Sequence, residues 1–274
     1  MGQGTGHPQA RTTTDARGNP ITTSHTGPVE VIIIAAMDSE IAPFLERATG
    51  VDAAAKHGNA VHRTGTLDGR TVLFVRGGIG LVNAAAATTS ALLLAGTGSP
   101  GAPLPLVVSA GSAGGLGDSV RVGDVVVSMD TLNADADARA LGYELGQVPG
   151  MPASYPVPQH LADAAARGLP AQRRAETVHH GLTVSSYAFV GPDRADVIKE
   201  QFPGVLATDM ESSAIAQVCH AHGAPFLAIR GISDMCGPAS DEFIQHVDDA
   251  AERSAEIAVA VVDAWLTEAS GPAS

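Results

Sequence analysis

The sequence predicts an α/β fold, a single domain whose central mixed sheet is flanked by helices. Three observations carry that prediction. Several apolar runs, among them Val31-Ile32-Ile33-Ile34-Ala35-Ala36 and Leu106-Val107-Val108-Ser109, show no polar alternation, as expected of strands buried on both faces. Helical stretches follow most of these runs, the alternation of a sheet covered by helices on both sides. One hairpin signal, Asp68-Gly69 between two strand-like segments, adds an antiparallel pair and makes the sheet mixed.

Residues 1–27 are rich in Gly, Thr, Pro and His without a hydrophobic period, and read as a disordered N-terminal tail. The folded domain is expected over 28–270. Its first strand runs through Val31 to Ala36, with Asp38 and Ser39 as cap candidates for a helix from Glu40 to Ala48. His62–Thr66 and Thr71–Val75 form the hairpin. Gly77-Gly78-Ile79-Gly80 leads into an Ala-rich helix, Val82 to Leu94. The strand at Leu106–Ser109 ends in Gly111-Ser112-Ala113-Gly114-Gly115, read as a glycine-rich turn. Asp124–Met129 is the next strand. Residues 131–180 are irregular apart from a helix near Leu161–Arg167. Gly181–Ser186 and Phe226–Arg230 are strands, Ala195–Gln201 and Met210–His222 helices, and a long helix from Phe243 to Leu266 closes the chain.

Composition excludes several classes. The chain has 274 residues, enough for one large core, and a formal net charge of −13. An acidic surface repels phosphate backbones and anionic membranes, so neither nucleic acid nor membrane is an expected partner. The N-terminus has no basic start followed by an apolar stretch, and no segment is apolar enough to span a bilayer, which together point to the cytoplasm. Cys219 and Cys236 are the two cysteines. Neither lies in a CxxC pair, no Cys/His cluster has metal-ligand spacing, and no metal or cofactor is expected.

Ligands of open α/β sheets gather at the carboxyl ends of strands. Two predicted strand ends carry carboxylates: Met37-Asp38-Ser39-Glu40 after the first strand and Ile232-Ser233-Asp234 after Phe226–Gly231. A third set, Asp209-Met210-Glu211, opens a helix. Each has a plain alternative, as a dipole partner in a first helical turn or as a cap. The glycine-rich turn lacks GxGxxG spacing and no Walker lysine follows it, so a phosphate-cradling loop is weakly supported. Convergence of the three carboxylate sets on one crevice suits cleavage of a glycosidic bond. That reaction needs an acid for the leaving group, a base for water and anchors for the sugar hydroxyls. An acid held protonated near neutral pH needs a raised pKa, which burial supplies.

From Val31 to the last helix the sequence resembles the 5′-methylthioadenosine/S-adenosylhomocysteine nucleosidases of the purine nucleoside phosphorylase superfamily. The matching stretches include Ala35-Ala36-Met37-Asp38-Ser39-Glu40, Gly78-Ile79-Gly80-Leu81-Val82-Asn83, Gly111-Ser112-Ala113-Gly114-Gly115-Leu116, Gly142-Tyr143-Glu144, Asp209-Met210-Glu211-Ser212 and Arg230-Gly231-Ile232-Ser233-Asp234. The resemblance implies a nucleoside phosphorylase/hydrolase-like fold and a cofactor-free N-ribosyl hydrolase that binds a purine nucleoside as a homodimer. It places the water-activating base at Glu40 and the acid for purine N7 at Asp234, oriented by Ser233. Glu211 would hold the ribose hydroxyls over Met210, with Arg230 bracing Glu211. Phe189 and Val190 would meet the base, Ser112, Ala113 and Gly114 would line the nucleoside site, and Ile79 its 5′ side. Leu141 and Pro149 fall in the segment that reaches the neighbouring subunit's site.

The superfamily also contains phosphorylases, which bind phosphate through arginine. Ser109 stands where that branch has an arginine, and Glu40 at the first strand end repels phosphate, so a hydrolase is expected. Arg76, beside the Gly77–Gly80 turn, is the one arginine that blurs this. The sequence departs from the family on the 5′ side, with Leu141 and Ser240 at positions that are often aromatic. Methylthioadenosine and adenosylhomocysteine lead. Aminodeoxyfutalosine or 5′-deoxyadenosine hydrolysis is the alternative, and purine nucleoside phosphorolysis the second.

Overall fold

The computed structural model describes residues 12–14, 20–22, 28–96, 104–169, 177–237 and 241–269. β1 (Thr12–Thr14) and β2 (Pro20–Thr22) pair antiparallel as a sheet of their own. Part of the segment expected to be disordered is thus a two-stranded ribbon; the rest of it lies outside the described residues.

The main sheet has nine strands: β3 (Val31–Ala35), β4 (Ala55–His57), β5 (Ala60–Leu67), β6 (Arg70–Arg76), β7 (Leu106–Gly115), β8 (Val125–Asn133), β9 (Val178–Ser185), β10 (Val205–Asp209) and β11 (Phe226–Asp234). Their spatial order is β10-β9-β8-β11-β7-β3-β6-β5-β4. β3 runs parallel to β6 and β7, and β7 parallel to β11, whereas β8 runs antiparallel to β11 and β5 to β6. The sheet is mixed, as predicted. β10 also pairs antiparallel with β7, through Ala207↔Gly115 and Thr208↔Gly114. That pairing closes β7, β11, β8, β9 and β10 into a ring.

Among the described residues six helices cover the sheet: α1 (Asp38–Arg47), α2 (Leu81–Leu94), α3 (Gln159–Gly168), α4 (Pro192–Gln201), α5 (Ser212–His222) and α6 (Asp241–Ala269). The apolar run of β3 serves both faces, because successive side chains point to opposite sides. Val31 and Ile33 join Phe44 of α1 and Ile257 and Val261 of α6. Ile32 and Ile34 join Ala84, Ala87 and Ala91 of α2 and Ile215 of α5. The Asp68-Gly69 turn is as read: both residues have positive φ, 49° and 78°, the requirement of a two-residue hairpin turn whose twist matches its strands.

Two readings need correction. Gly111–Gly115 is not a turn but the last half of β7, bonded to β11 on one side and to β10 on the other. Glycine is used there for space. A Cβ on Gly111 would lie 2.6 Å from Glu40 Oε1, and one on Gly114 2.6 Å from Cys236 Sγ. Asp209 and Met210 precede the helix expected to start at Met210: Asp209 ends β10, and α5 begins at Ser212 with Glu211 as its N-cap residue.

Candidate active site

The carboxyl ends of β3, β7, β10 and β11 surround one cleft. Glu40, Glu211 and Asp234 all border it, together with Ser112, Ala113, Gly114, Ser233, Met210, Phe189, Val190 and Ile79. The convergence inferred from three separate stretches of sequence is therefore realised in one space.

Glu40 sits in the first turn of α1 and is 4% exposed. Its Oε2 accepts from the N–H groups of Ala36 (3.0 Å) and Met37 (3.1 Å) at the end of β3. Its Oε1 accepts from the Ser112 N–H and the Ser112 hydroxyl, both at 2.8 Å. Four donors from two strand ends fix one carboxylate, and the absent side chain of Gly111 leaves the room for it. Part of the arrangement is local: a glutamate at the third helical position reaches back to the N–H of the residue before the helix.

Asp234 ends β11 and is 5% exposed. Its Oδ1 accepts from the Cys236 N–H at 2.9 Å, and Cys236 holds a positive φ of 53°. The Ser233 hydroxyl lies 2.9 Å from Asp234 Oδ2 and 3.2 Å from the Ala113 carbonyl. That hydroxyl suits either protonation state. It donates to the carboxylate, or it donates to Ala113 and accepts from the protonated acid. Burial pushes the Cys236 thiol up to about 12, so it is a neutral wall of the cleft.

Glu211 is held differently. Its Oε1 accepts from the Gly80 N–H at 2.8 Å, and its Oε2 lies 3.3 Å from the Met210 N–H. Burial, then the neighbouring charge of Asp209, push its carboxyl up to about 7, against the pull of Arg230.

Arg230 does not border the main cleft and does not bond to Glu211, contrary to its reading as a substrate-binding brace for Glu211. It is 2% exposed. Its Nε donates to Asp209 Oδ2 at 2.7 Å, and its Nη2 to Ser109 Oγ at 2.6 Å and Ser212 Oγ at 2.8 Å. The reason is geometric: Asp209, at the end of β10, lies within hydrogen-bond reach of the guanidinium and Glu211 does not, and a buried cation needs a directly bonded anion. Burial opposes the charge on Asp209, but Arg230 and the hydroxyls of Ser185 and Ser212 outweigh it and hold that carboxyl below its ordinary value. A small pocket behind the cleft is bounded by Glu40, Glu211, Ser109 and Arg230. Arg76 is engaged elsewhere, by Asp38 at 3.4 Å and the Asn59 carbonyl at 3.1 Å.

At the far end of the cleft, Phe189 packs edge-on against Phe243, with ring centroids 5.7 Å apart. Phe243 borders the cleft and was missed as a site residue, although it lies in the Asp-Glu-Phe stretch after a position often aromatic in the family. That position, Ser240, lies outside the described residues. Leu141, in the 3-10 turn Arg139–Leu141, is 74% exposed, and Pro149 is exposed too. Neither borders the cleft of its own chain. Among the described residues no three His, Cys, Asp or Glu side chains form a group able to hold a metal ion, and no helix is long and apolar enough to cross a membrane.

Known proteins share this fold. The model of the phosphorylase superfamily matches residues 30–263. The 5′-methylthioadenosine/S-adenosylhomocysteine nucleosidase of Anoxybacillus flavithermus is 39% identical over 237 residues, which are 86% of this chain and 98% of that protein. The chain belongs to that nucleosidase family. Among solved structures, the family member from Neisseria meningitidis in complex with methylthio-immucillin-A superposes with a TM-score of 0.77 at 36% identity, over 85% of this chain and 97% of the other. The futalosine hydrolase of Helicobacter pylori superposes with a TM-score of 0.76 at 27% identity, over 86% and 98%. The mixed sheet and helical layers described above are thus those of the nucleosidase family.

Proposed function

We propose that this chain hydrolyses the N-glycosidic bond of 5′-methylthioadenosine and S-adenosylhomocysteine, releasing adenine and the 5-substituted ribose. The observation that carries the reading is the meeting of Glu40, Glu211 and Asp234 in one cleft, in a chain of this family.

The roles follow from the geometry. The purine lies between Phe189, Val190 and Asp234. Asp234, with Ser233 beside it, delivers a proton to N7 as the bond between N9 and C1′ breaks, so adenine leaves neutral. Glu40 takes a proton from water as the water oxygen bonds to C1′. Four donors keep Glu40 aimed without adjustment during the reaction, the preorganisation that makes electrostatic catalysis effective. Glu211 receives the ribose hydroxyls, and Met210 packs beneath the sugar. Water is preferred to phosphate because Glu40 repels an anion, Ser109 offers a hydroxyl, Arg230 is committed to Asp209, and Arg76 borders neither the cleft nor the pocket behind it.

The protein acts as a homodimer in which Leu141 and Pro149 of one copy close the 5′ side of the other. This is supported by their exposure, by their absence from the lining of their own chain's cleft, and by the open mouth of that cleft, where Ile79 is 51% and Phe189 54% exposed. Residues 28–270 form the catalytic domain, with residues 1–27 outside it, and the expected compartment is the cytoplasm.

A second substrate reading concerns the 5′ group. Leu141 stands where aromatics are common, which favours a wider 5′ pocket and so aminodeoxyfutalosine or 5′-deoxyadenosine. One assay tests both: adenine release from a panel of 5′-substituted adenosines, with and without phosphate. Adenine and free 5-methylthioribose are expected from methylthioadenosine in phosphate-free buffer. A requirement for phosphate, with ribose 1-phosphates as products, would overturn the hydrolase reading.

A further inference from the structure

The loop that carries Phe189 and Val190 has no strand or helix of its own from residue 186 to 190. It is held from outside the cleft by one carboxylate. Asp135 Oδ2 accepts from the Tyr187 N–H at 2.5 Å, and Asp135 Oδ1 from the Ser186 hydroxyl at 3.1 Å. Arg194 of α4 completes the clamp. Its Nη2 pairs with Asp135 Oδ1, and its Nε donates to Ser186 Oγ at 3.3 Å. Ser186 Oγ in turn accepts from the Ala188 N–H at 3.2 Å, one residue before Phe189. Asp135 is brought there because β8 and β9 run side by side: the Ala134 N–H donates to the Ser185 carbonyl at 2.8 Å, one residue from each partner. On its outer side the loop leans on the ribose-side turn. The Tyr187 ring covers Gly80, and its hydroxyl accepts from the Val82 N–H at 3.4 Å. Neither Asp135 nor Arg194 borders the cleft.

We propose that Asp135, held by Arg194, is a positioning residue that sets the base-binding loop 186–190 and thereby the affinity for the purine. The inference rests on the reading that Phe189 and Val190 meet the base. The Ser186 N–H donates to the Asp209 carbonyl at 2.9 Å and Val190 is buried, but the stretch between these anchors is ordered chiefly through bonds of this kind, and without them its ordering must be repeated at each binding event. Glu40, Asp234 and Glu211 are fixed by β3, β7, β11 and the Gly80 turn. Loss of the clamp therefore weakens binding of the base far more than it slows the chemistry.

The test compares Asp135→Ala, Asp135→Asn and Arg194→Gln with the full-length wild type. For Asp135→Ala the KM for methylthioadenosine and the Kd of free adenine rise about ten-fold, the loss expected for charge-assisted hydrogen bonds. Its kcat and its Kd for 5-methylthioribose stay within about two-fold, since neither reports on the loop. Asp135→Asn, which retains an acceptor for the Tyr187 N–H, recovers part of the loss, and Arg194→Gln shifts the same parameters in the same direction by less. An unchanged adenine Kd in folded Asp135→Ala overturns the proposal. So does equal weakening of adenine and 5-methylthioribose, which would mark a general structural role. Should Asp135→Ala fail to fold, Asp135→Asn and Arg194→Gln supply the same comparison. A wild-type protein that neither cleaves the nucleoside nor binds adenine would refute the nucleoside reading itself, and the positioning role with it.

Discussion

Glu40 and Glu211 are the same residue type in the same cleft, yet the fold treats them in opposite ways. Glu40 accepts four hydrogen bonds, three from backbone N–H groups and one from a serine hydroxyl. Glu211 accepts one good bond and one long one, and has the charge of Asp209 next to it. The first is locked as an oriented acceptor. The second is left adjustable, pushed up to about 7, and so able to respond to what binds against it. Environment, not residue type, assigns the tasks of carboxylates that share a site.

The contrast can be broken most sharply at the two ends of proton transfer. Glu40→Gln and Asp234→Asn should each lower kcat by about 10²–10⁴-fold, the usual worth of a general acid or base, with little change in the Kd of a non-cleavable adenosine analogue. Single-turnover rates and calorimetric titration separate the two. A near wild-type kcat in either variant removes that residue from the chemistry.

Gly111→Ala asks whether the locking of Glu40 matters apart from its charge. The new methyl would lie 2.6 Å from Oε1 and 2.8 Å from Cδ of Glu40, so the carboxylate must leave its four donors. kcat should fall by about 10²-fold or more, toward the level of Glu40→Gln. The thermal midpoint should fall by only a few degrees, because the displaced atoms end a side chain. Gly231→Ala is the control. Its Cβ would lie 2.1 Å from the Ala250 carbonyl oxygen in α6, where backbone cannot yield, and stability should drop by about 3 kcal/mol or more. If both variants lose stability alike, the space at Gly111 is structural and not reserved for Glu40.

Glu211→Gln sharpens the other side and has the smallest effect. If ionised Glu211 accepts from both ribose hydroxyls, as proposed, the Kd of the analogue should fall as pH rises through about 7 in the wild type. In the glutamine variant that dependence should flatten. Stability should move oppositely. A carboxyl raised in the folded state stabilises it fully below its unfolded value, and that contribution is lost as pH rises through about 7. The glutamine variant should therefore gain on the wild type between acid and alkaline pH, by about 2–3 kcal/mol, since each tenfold difference in proton affinity is worth ~1.4 kcal/mol. Denaturant titrations at pH 4 and pH 8 decide it, and an equal difference between the two proteins at both would contradict the assignment.

Much of this site was readable in the chain. The apolar runs of β3, β7 and β11 marked buried strands, and the polar residues just beyond them, Glu40, Ser112 and Asp234, are where such strands deliver ligand groups. What was hidden depends on pairing between distant residues. Gly111–Gly115 looks like a turn in sequence because glycine suits turns. Only the approach of Glu40 from α1 and of Cys236 from beyond the end of β11 shows that those glycines make room within a strand. β10 is short, and its end, Asp209, read as part of a helix. Nothing local reveals its antiparallel partner far earlier in the chain, which sets Gly115 against Ala207 and Gly114 against Thr208. The partner of Arg230 was misjudged for the same reason: periodicity reports which face a residue occupies, not which of two nearby carboxylates it meets.

The buried guanidinium of Arg230 also bears on how this branch of the superfamily stays separate from its phosphorolytic relatives. Its Nε and Nη2 are committed to Asp209, Ser109 and Ser212, all of them buried. Trading water for phosphate would need a guanidinium turned toward the substrate and the anion at Glu40 gone. Replacing Ser109 by arginine alone would press a second cation against Arg230 in a space sized for a hydroxyl. Removing Glu40 alone would abolish hydrolysis without creating an anion site. With the roles proposed above, each single step would cost hydrolysis without creating an anion site, so Ser109 would hold this site to water through the neighbours it satisfies.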